Sequence, residues 1–278
     1  MKVVLFCGGM GMRLREYSES IPKPMVNIGC RPILWHIMKY YSHFGHKDFI
    51  LCLGWKGNVI KDYFLNYQET VSNDFVMSSG GAVVDLLNCD IHDWNITFVD
   101  TRPTSSIGER LRAVRNHVEG EGAFLANYTD GLTDLHLPKL IDFFYDRNAA
   151  AAFLSVPPTH SFHMVTPDHD GRVACLQAIS DSGVWMNGGY FVLSEEIFEY
   201  LDEGEDLVAE PFQRLIADGK LYSLQHPGFW SCMDTYKEKQ CLEDMYLRGD
   251  TPWEISKHSV AHDGLASAHS VNGNARPH

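Results

Sequence analysis

The stretch that decides the fold lies at the amino terminus. A short apolar run, residues 3–7 (VVLFC), leads into residues 8–13 (GGMGMR), and residues 22–25 (PKPM) follow. An apolar run of this length that ends at glycines predicts a buried strand leading into a tight loop. Glycines let the backbone approach a ligand closely, and their N–H groups can bind phosphate oxygens. Arg13 and Lys23 would then neutralise the charge of that ligand.

Two common nucleotide-binding motifs do not fit this loop. A dinucleotide fingerprint would need further glycines where Leu14 and Glu16 stand, and no P-loop ending in Gly-Lys-Ser/Thr is present. A dehydrogenase is therefore disfavoured. An ordinary strand-to-helix turn stays an alternative for the glycines alone, although Arg13 and Lys23 on the same segment count against it.

Apolar strands and amphipathic helices alternate along the rest of the chain. We predict helices at about 32–44, 59–66, 107–118, 135–147, 194–201, 207–217 and from 236, and strands at about 49–53, 94–99, 124–128, 149–156, 172–177, 185–193 and 221–225. Such alternation is typical of parallel strands joined by right-handed crossovers. The predicted fold class is α/β: a Rossmann-like, mixed but mainly parallel sheet flanked by helices, with a small accessory β region.

Four sequence motifs carry a resemblance to a known family. Residues 8–14 (GGMGMRL) and 22–25 (PKPM) resemble the signature of the sugar-1-phosphate nucleotidyltransferases. Residues 33–38 (ILWHIM) and 54–57 (GWKG) resemble one branch of that family, the glucose-1-phosphate cytidylyltransferases. The similarity covers nearly the whole chain.

The resemblance implies a fold, an activity and a cofactor. We expect a nucleotidyltransferase domain, GT-A-like, over residues 1–255 and a disordered tail over residues 256–278. The implied reaction is transfer of a nucleotidyl group, with CTP favoured as donor and Mg²⁺ as cofactor, to a phosphorylated sugar or polyol. It also implies a homo-oligomer, in which residues 68–92 make subunit contacts and reach toward the nucleotide.

The resemblance further implies the residues of the triphosphate half of the site. Arg13 and Lys23 are expected to be catalytic cations, although Met12 stands where the family has Thr. The residues expected to contact the nucleotide are Leu5, Cys7, Gly8, Gly9, Gly11, Met12, Arg13, Lys23, Ser105, Arg110 and Tyr128. For the loop before Arg110, capping of the next helix by Ser105 or Ser106 is an equally good interpretation.

Asp130 follows an apolar strand, and ligands of open α/β sheets bind just beyond the carboxyl ends of strands. A carboxylate there can hold Mg²⁺ against phosphate oxygens. An Asp-Gly pair is otherwise a turn signal, but here it resembles the metal motif of the family, with Thr129 in place of Gly. Asp130 is therefore predicted to be catalytic and a metal ligand. Asp234 resembles the second metal-binding aspartate, and capping of the following helix is a compatible role.

The acceptor half departs from the family. Residues 187–189 (NGG) match the segment under the sugar, so Asn187, Gly188 and Gly189 are predicted acceptor contacts. The Glu-Lys-Pro of the family, whose lysine binds the sugar phosphate, is replaced by residues 177–181 (QAISD). We therefore expect an acceptor altered from glucose 1-phosphate, with His163 or Arg172 supplying the missing positive charge. The histidines near residue 160 are otherwise expected in a solvated loop.

Composition limits the partners and the location. A formal charge of −13 argues against nucleic acid and anionic membrane surfaces. No apolar stretch approaches the roughly 18 residues of a membrane span, and no charged-then-apolar leader precedes the first strand, so we expect a cytoplasmic protein. The 7 cysteines lack paired spacing, which predicts buried reduced thiols without disulfides or a zinc site.

Two other functions stay open. The same chemistry could use UTP, dTTP, ATP or GTP, because nothing in the loop composition fixes the base. A non-catalytic sugar-nucleotide-binding protein would keep the fold. Such a protein has no need of two metal carboxylates, however, and Asp130 and Asp234 are both present.

Overall fold

The computed structural model describes residues 1–9, 21–159 and 162–255. The strands are β1 (Val3–Phe6), β2 (Asn27–Ile28), β3 (Arg31–Pro32), β4 (Asp48–Leu53), β5 (Phe75–Ser78), β6 (Val83–Leu86), β7 (Asn95–Asp100), β8 (Ala123–Asn127), β9 (Gly131–Thr133), β10 (Ala151–Val156), β11 (His163–Pro167), β12 (Val173–Ala178), β13 (Met186–Ser194), β14 (Leu221–Gln225) and β15 (Trp230–Cys232). The α-helices are α1 (Ile33–His43), α2 (Gly57–Leu65), α3 (Ile107–Ala113), α4 (Arg115–Val118), α5 (Leu137–Asp146), α6 (Glu210–Ala217) and α7 (Tyr236–Leu247). Within these ranges, no helix combines the length and the apolar character that a bilayer crossing requires.

Seven strands form the central sheet, in the order β14-β10-β13-β8-β1-β4-β7. Strand β1 is parallel to both neighbours, and β4 is parallel to β7. Only β13, among the strands of this sheet, runs antiparallel to its neighbours β8 and β10, while β10 and β14 are parallel. The predicted Rossmann-like, mixed and mainly parallel sheet is confirmed. The pairs β2–β3, β5–β6, β9–β15 and β11–β12 lie outside it.

The side chains of β1 alternate between two cores. Val3 and Leu5 pack in a core with residues of α1 and α5, and Val4 and Phe6 pack in a second core with residues of α3 and α6. None of the four is more than 4% exposed. A strand buried on both faces reads as a continuous apolar run instead of an alternating one. Helices covering both faces of the sheet therefore explain the uninterrupted apolar sequence.

Parallel pairing places distant parts of the chain at one edge of the sheet. Strands β1, β4, β7 and β8 end there, at Phe6, Leu53, Asp100 and Asn127. Because β13 runs the other way, its amino end at Met186 lies at this same edge. Gly8 and Gly9, the segment after β8 and the segment that opens β13 therefore lie at one edge without being close in sequence.

The differences from the predicted pattern include three regions in the second half of the chain. The histidine-rich stretch expected as a loop contains β11, which forms a hairpin with β12. The helix expected after Ser194 is a 3-10 helix, Glu195–Glu199, and the Ser194 side chain makes no capping bond. The next helix begins at Glu210 instead of residue 207, with Pro211 in its first turn, where a missing N–H costs no helical bond.

The prediction of buried cysteines is right for three residues and wrong for four. Cys7, Cys52 and Cys232 are buried. The others lie in turns, on the β11–β12 hairpin or on the solvent face of α7 and are exposed: Cys30, Cys89, Cys175 and Cys241. Apolar neighbours in the sequence therefore do not by themselves indicate that a cysteine is buried.

Residues 68–92 form the β5–β6 hairpin on a firmly held stem. Arg31 is 3% exposed and donates hydrogen bonds to Gln68 O at 2.7 Å and Ser72 Oγ at 2.9 Å. Asp90, at the other end of the segment, lies 3.8 Å from Arg31 Nη2 and accepts a hydrogen bond from Ser72 Oγ. A buried charge is stable only when it is paired and hydrogen-bonded. Both ends of the segment are thus fixed to one buried guanidinium.

Candidate active site

Arg110 contacts Gly8, the first residue of the glycine loop (residues 8–13). It is 2% exposed and donates hydrogen bonds to Gly8 O at 3.1 Å, Thr101 Oγ1 at 2.6 Å and Pro103 O at 3.2 Å. These acceptors follow β1 and β7, so one guanidinium joins the ends of both strands. A Cβ at position 8 would overlap this guanidinium, which explains the glycine. Arg110 thus contacts Gly8, at the start of the loop, and its predicted contact with the nucleotide stays a prediction.

Three charged residues predicted for the site meet at the carboxyl edge. The Nζ atom of Lys23 donates a hydrogen bond to Asp130 Oδ2 at 2.9 Å and a second to Asp234 Oδ1. Burial lowers the pKa of Lys23, but the two carboxylates raise it by more, so the net pKa lies above its ordinary value. Burial raises the pKa of Asp130 against the opposing effect of Lys23. The cluster therefore holds two acidic groups and one ammonium.

The same two carboxylates suit a magnesium ion. Across the described ranges, no group of three or more His, Cys, Asp or Glu side chains could hold a metal. Mg²⁺, however, usually takes one or two carboxylates and completes its shell with water and substrate phosphates. Lys23 already places a cation between Asp130 and Asp234. The donor set fits a divalent cation.

Thr129, which stands where the family motif has Gly, adopts a left-handed backbone with φ of 63°. Its N–H donates to Asn127 Oδ1 at 2.7 Å, and its hydroxyl donates to Phe6 O at 2.8 Å. These bonds stabilise a conformation that costs a residue with a Cβ roughly 1–2 kcal/mol. The turn carries the chain from β8 to Asp130.

The segment predicted to bind the acceptor lies against Tyr128. The Tyr128 N–H donates to Gly189 O at 3.1 Å, and a Cβ at position 189 would lie 2.9 Å from Tyr128 Cδ2. Asn187 Oδ1 accepts a hydrogen bond from the N–H of Gly189 at 2.9 Å. Burial raises the pKa of the Tyr128 hydroxyl, so it stays a neutral donor at physiological pH. Residues predicted for the nucleotide and acceptor halves thus share one wall.

Trp230 and Tyr190 belong to this wall, and sequence reasoning missed both. Trp230 Nε1 donates to Gly188 O at 2.9 Å, and Tyr190 Oη donates to Gly131 O at 2.8 Å. The indole also flanks Gly131, where a Cβ would lie 3.2 Å from Nε1. A tryptophan shortly before Asp234 was the available signal. It sits on a three-residue strand, which shows no periodicity.

Helix caps decide two of the open alternatives. Thr235, not Asp234, caps α7 in a reciprocal capping box with Glu238. The carboxylate of Asp234 bonds to Lys23 instead. Ser106 caps α3 in the same way, so Ser105 is not the cap. Ser105 is half-buried and lines a cavity beside α3, and its contact with nucleotide stays a prediction.

Other residues predicted for the nucleotide lie beneath the loop or outside the described part. Leu5 and Cys7 are fully buried in the core, so they support the loop and present no side chain at its surface. Gly9 is exposed, and open space surrounds the position of a Cβ there. The remaining predicted residues of the loop, Gly11, Met12 and Arg13, lie outside the described residues.

His163 and Arg172 are exposed on the β11–β12 hairpin. The backbone N–H of Arg172 bonds to Asp168 Oδ1 at 2.9 Å in the turn of the hairpin. Among the described residues, no hydrogen bond or ion pair joins either side chain to Asn187. Their predicted contact with the acceptor stays a prediction.

Comparison with known proteins gives concordant matches. The sequence model of the family described as nucleotidyl transferase matches residues 2–237. Glucose-1-phosphate cytidylyltransferases of Salmonella typhimurium and Salmonella typhi are 38% and 39% identical to this chain over 259 and 256 residues, each match covering 91% of this chain and 99% of the relative. A crystal structure of UDP-glucose pyrophosphorylase complexed with UDP-glucose matches with a TM-score of 0.65 at 13% identity, covering 89% of this chain and 98% of the other. The last match concerns the fold alone.

We expect Arg110→Lys to lower the free energy of unfolding by about 2–4 kcal/mol, because one ammonium cannot satisfy the acceptors after β1 and β7 together. Urea denaturation measures the loss. The matched control is Arg112→Lys on the same helix, where an exposed arginine bonds to Leu201 O. A loss at Arg110 no larger than the loss at Arg112 would contradict the structural role.

Thr129→Val should lower the free energy of unfolding by about 1–3 kcal/mol, because valine keeps a branched side chain in a left-handed conformation and loses the bond to Phe6. Thr129→Gly should cost less, since glycine adopts this φ without strain. Urea denaturation of both variants makes the comparison. Equal losses, or a larger loss for glycine, would show that strain at this turn is negligible.

Proposed function

The chain belongs to the nucleotidyl transferase family, and from this premise we propose that it transfers CMP from CTP to a phosphorylated sugar or polyol, releasing pyrophosphate. One observation carries the proposal: Lys23, Asp130 and Asp234 converge at one sheet edge from three distant parts of the chain. The two Salmonella relatives, which are named as cytidylyltransferases, support CTP as the donor.

The chemistry needs positioning and charge more than a base. A phosphate oxygen of the acceptor attacks the α-phosphorus of CTP, and the bond from that phosphorus to the bridging oxygen breaks as pyrophosphate leaves. Because both reactants are anions, the site must hold them in line and offset their charge. Lys23 would pair with phosphate oxygens. Asp130 and Asp234 would hold Mg²⁺, which when bound would offset the negative charge of the phosphate in the transferred nucleotidyl group.

The acceptor would lie against the opening segment of β13. Asn187, Gly188 and Gly189 form its floor, and the hydrogen bond from Trp230 to Gly188 O fixes that floor. At the position of the family's phosphate-binding lysine, the chain instead ends β12 and forms the 3-10 helix Ile179–Asp181. We therefore propose an acceptor other than glucose 1-phosphate.

Two alternatives are testable beside this proposal. The first is the same transfer from UTP, dTTP, ATP or GTP. The second is a non-catalytic protein that binds a sugar nucleotide. The second is disfavoured because both carboxylates needed for a metal are present and share one cation.

Pyrophosphate release tests the function directly. The full chain is incubated with Mg²⁺ and each of the five triphosphates, against a panel of sugar 1-phosphates and polyol phosphates. We expect pyrophosphate release with CTP and one acceptor. The KM for glucose 1-phosphate should be higher than the KM for that acceptor. Asp130→Asn should lower kcat by about 100-fold or more. The matched control is Asp142→Asn, an exposed aspartate on α5, which should leave kcat unchanged.

Each failure has its own meaning. Release with a different triphosphate would replace CTP as the donor, and full activity with glucose 1-phosphate would contradict an altered acceptor. Unchanged turnover in Asp130→Asn would contradict the metal role. If no pyrophosphate is released with any substrate of the panel, and the protein still binds CTP, the non-catalytic alternative would be favoured.

We also infer a homo-oligomer, and the β5–β6 hairpin is the surface that supports it. Its apolar side chains are exposed on a stem held by Arg31: Phe75, Val76, Met77, Val83, Val84, Leu86 and Leu87. Monomeric proteins rarely expose a contiguous apolar patch of this kind. A second copy of the chain would cover it.

Val76→Lys should dissociate the oligomer, because a charged side chain would be buried at the contact. Analytical ultracentrifugation measures the change in mass. The matched control is Val165→Lys on the β11–β12 hairpin, where the valine is 50% exposed, compared with 51% for Val76. An oligomer that survives Val76→Lys, or a monomeric wild type, would contradict the inference.

A further inference from the structure

Lys23 occupies the place that the proposed function gives to a metal. Its ammonium bonds to Asp130 and Asp234 at once. The Lys23 side chain is 14% exposed, whereas Asp130 and Asp234 are 31% and 33% exposed, so both carboxylates can be reached from solvent. A divalent ion would place two positive charges between the carboxylates, where the ammonium places one.

The two carboxylates are held together without Lys23. The N–H of Met233 donates to Asp130 O at 2.8 Å, and β9 pairs with β15 through Gly131 and Cys232. The N–H of Asp234 also donates to Glu238 Oε2 at 2.8 Å. Backbone bonds thus fix the loops that carry both aspartates. Loss of the ammonium would therefore leave the two carboxylates close together.

The backbone of Lys23 is anchored, whereas its side chain is long. Met25 N donates to Pro22 O at 2.8 Å, and Val26 N donates to Lys23 O at 3.1 Å. Pro24 is buried beside it. Only the flexible four-carbon stem can move the ammonium, which is a single point charge. The ammonium can therefore leave the carboxylates without unfolding the turn.

We propose that, before substrates bind, the Lys23 ammonium is the counter-ion of the two carboxylates of the metal site. A divalent cation displaces the ammonium from these carboxylates, and the ammonium then pairs with the triphosphate. The proposal rests on the proposed function, since it takes Asp130 and Asp234 as the metal ligands. Without nucleotide, a metal ion must compete with the ammonium for the carboxylates. The displaced ammonium would then be a partly buried charge that has lost these counter-charges, which is unfavourable. With nucleotide, the displaced ammonium pairs with a phosphate. Metal and triphosphate therefore bind with positive coupling, and the coupling is reciprocal.

Metal binding without turnover tests this exchange. Mn²⁺ is titrated into the full chain and detected by the electron paramagnetic resonance of the free ion. Titrations are made alone and with a CTP analogue whose α,β-bridging oxygen is replaced by methylene. We expect Lys23→Met, without nucleotide, to bind Mn²⁺ at least about tenfold tighter than wild type. The gain in Mn²⁺ affinity that the analogue produces should be smaller in the variant than in wild type.

Two controls make the result specific. Lys61→Met removes one positive charge from an exposed position on α2, so it corrects for the general effect of a more negative protein. Lys23→Gln keeps the length and a donor of the side chain, and it replaces Lys23→Met if circular dichroism shows that the latter is not folded. An affinity within about twofold of Lys61→Met would overturn the exchange, as would an unchanged coupling to the analogue.

Failure of the metal site itself is distinguishable. In the presence of the analogue, Asp130→Asn should lose Mn²⁺ affinity. If it does not, the metal role in the proposed function is wrong. If it does, while Lys23→Met behaves like Lys61→Met, the metal role stands and only the counter-ion exchange fails.

Discussion

The parallel pairing of β1 between β4 and β8 is the constraint on which the rest of the structure depends. It sends the chain out of the sheet at one edge, where residues 7–9, the segment after β8 and the loop after β7 all lie. The continuous apolar sequence of β1 is the requirement for that central position, because both faces of the strand are covered. The single antiparallel strand of this sheet, β13, then delivers its amino end to the same edge. The central sheet thus brings these segments to one edge, and the pairing of β9 with β15 adds Asp234 to them.

Two cations at this edge do different work. The Arg110 guanidinium donates hydrogen bonds to backbone and hydroxyl oxygens, and these bonds join the ends of two strands. Lys23 faces two carboxylates and keeps a route to solvent. A planar fork with several fixed donors suits the first task, and a mobile point charge suits the second. In a chain of net charge −13, these two cations thus lie at the edge where the proposed substrates, which are anions, would bind.

Much of this arrangement could be predicted from the sequence. The order of elements, the parallel sheet and the meeting of Lys23 with Asp130 and Asp234 follow from periodicity and from the family motifs. The pairing of β9 with β15 could not be predicted, because three-residue strands carry no pattern. Nor does a sequence say that the Arg110 guanidinium donates to Gly8 O and to Thr101 Oγ1, after two different strands. Exposed hairpins such as β11–β12 also mimic loops, since their residues lack a buried face.

The buried thiol next to the glycine loop gives the protein a built-in reporter of local opening. Cys7 has no exposed surface, and burial raises its pKa to about 12. Thiol reagents need both access and a thiolate, so they modify exposed cysteines first. Labelling of Cys7 in the folded protein requires that the end of β1 separate from its neighbours. The rate of Cys7 labelling would measure how often the centre of the sheet opens locally. The measurement can be made with and without nucleotide, and it needs no introduced probe.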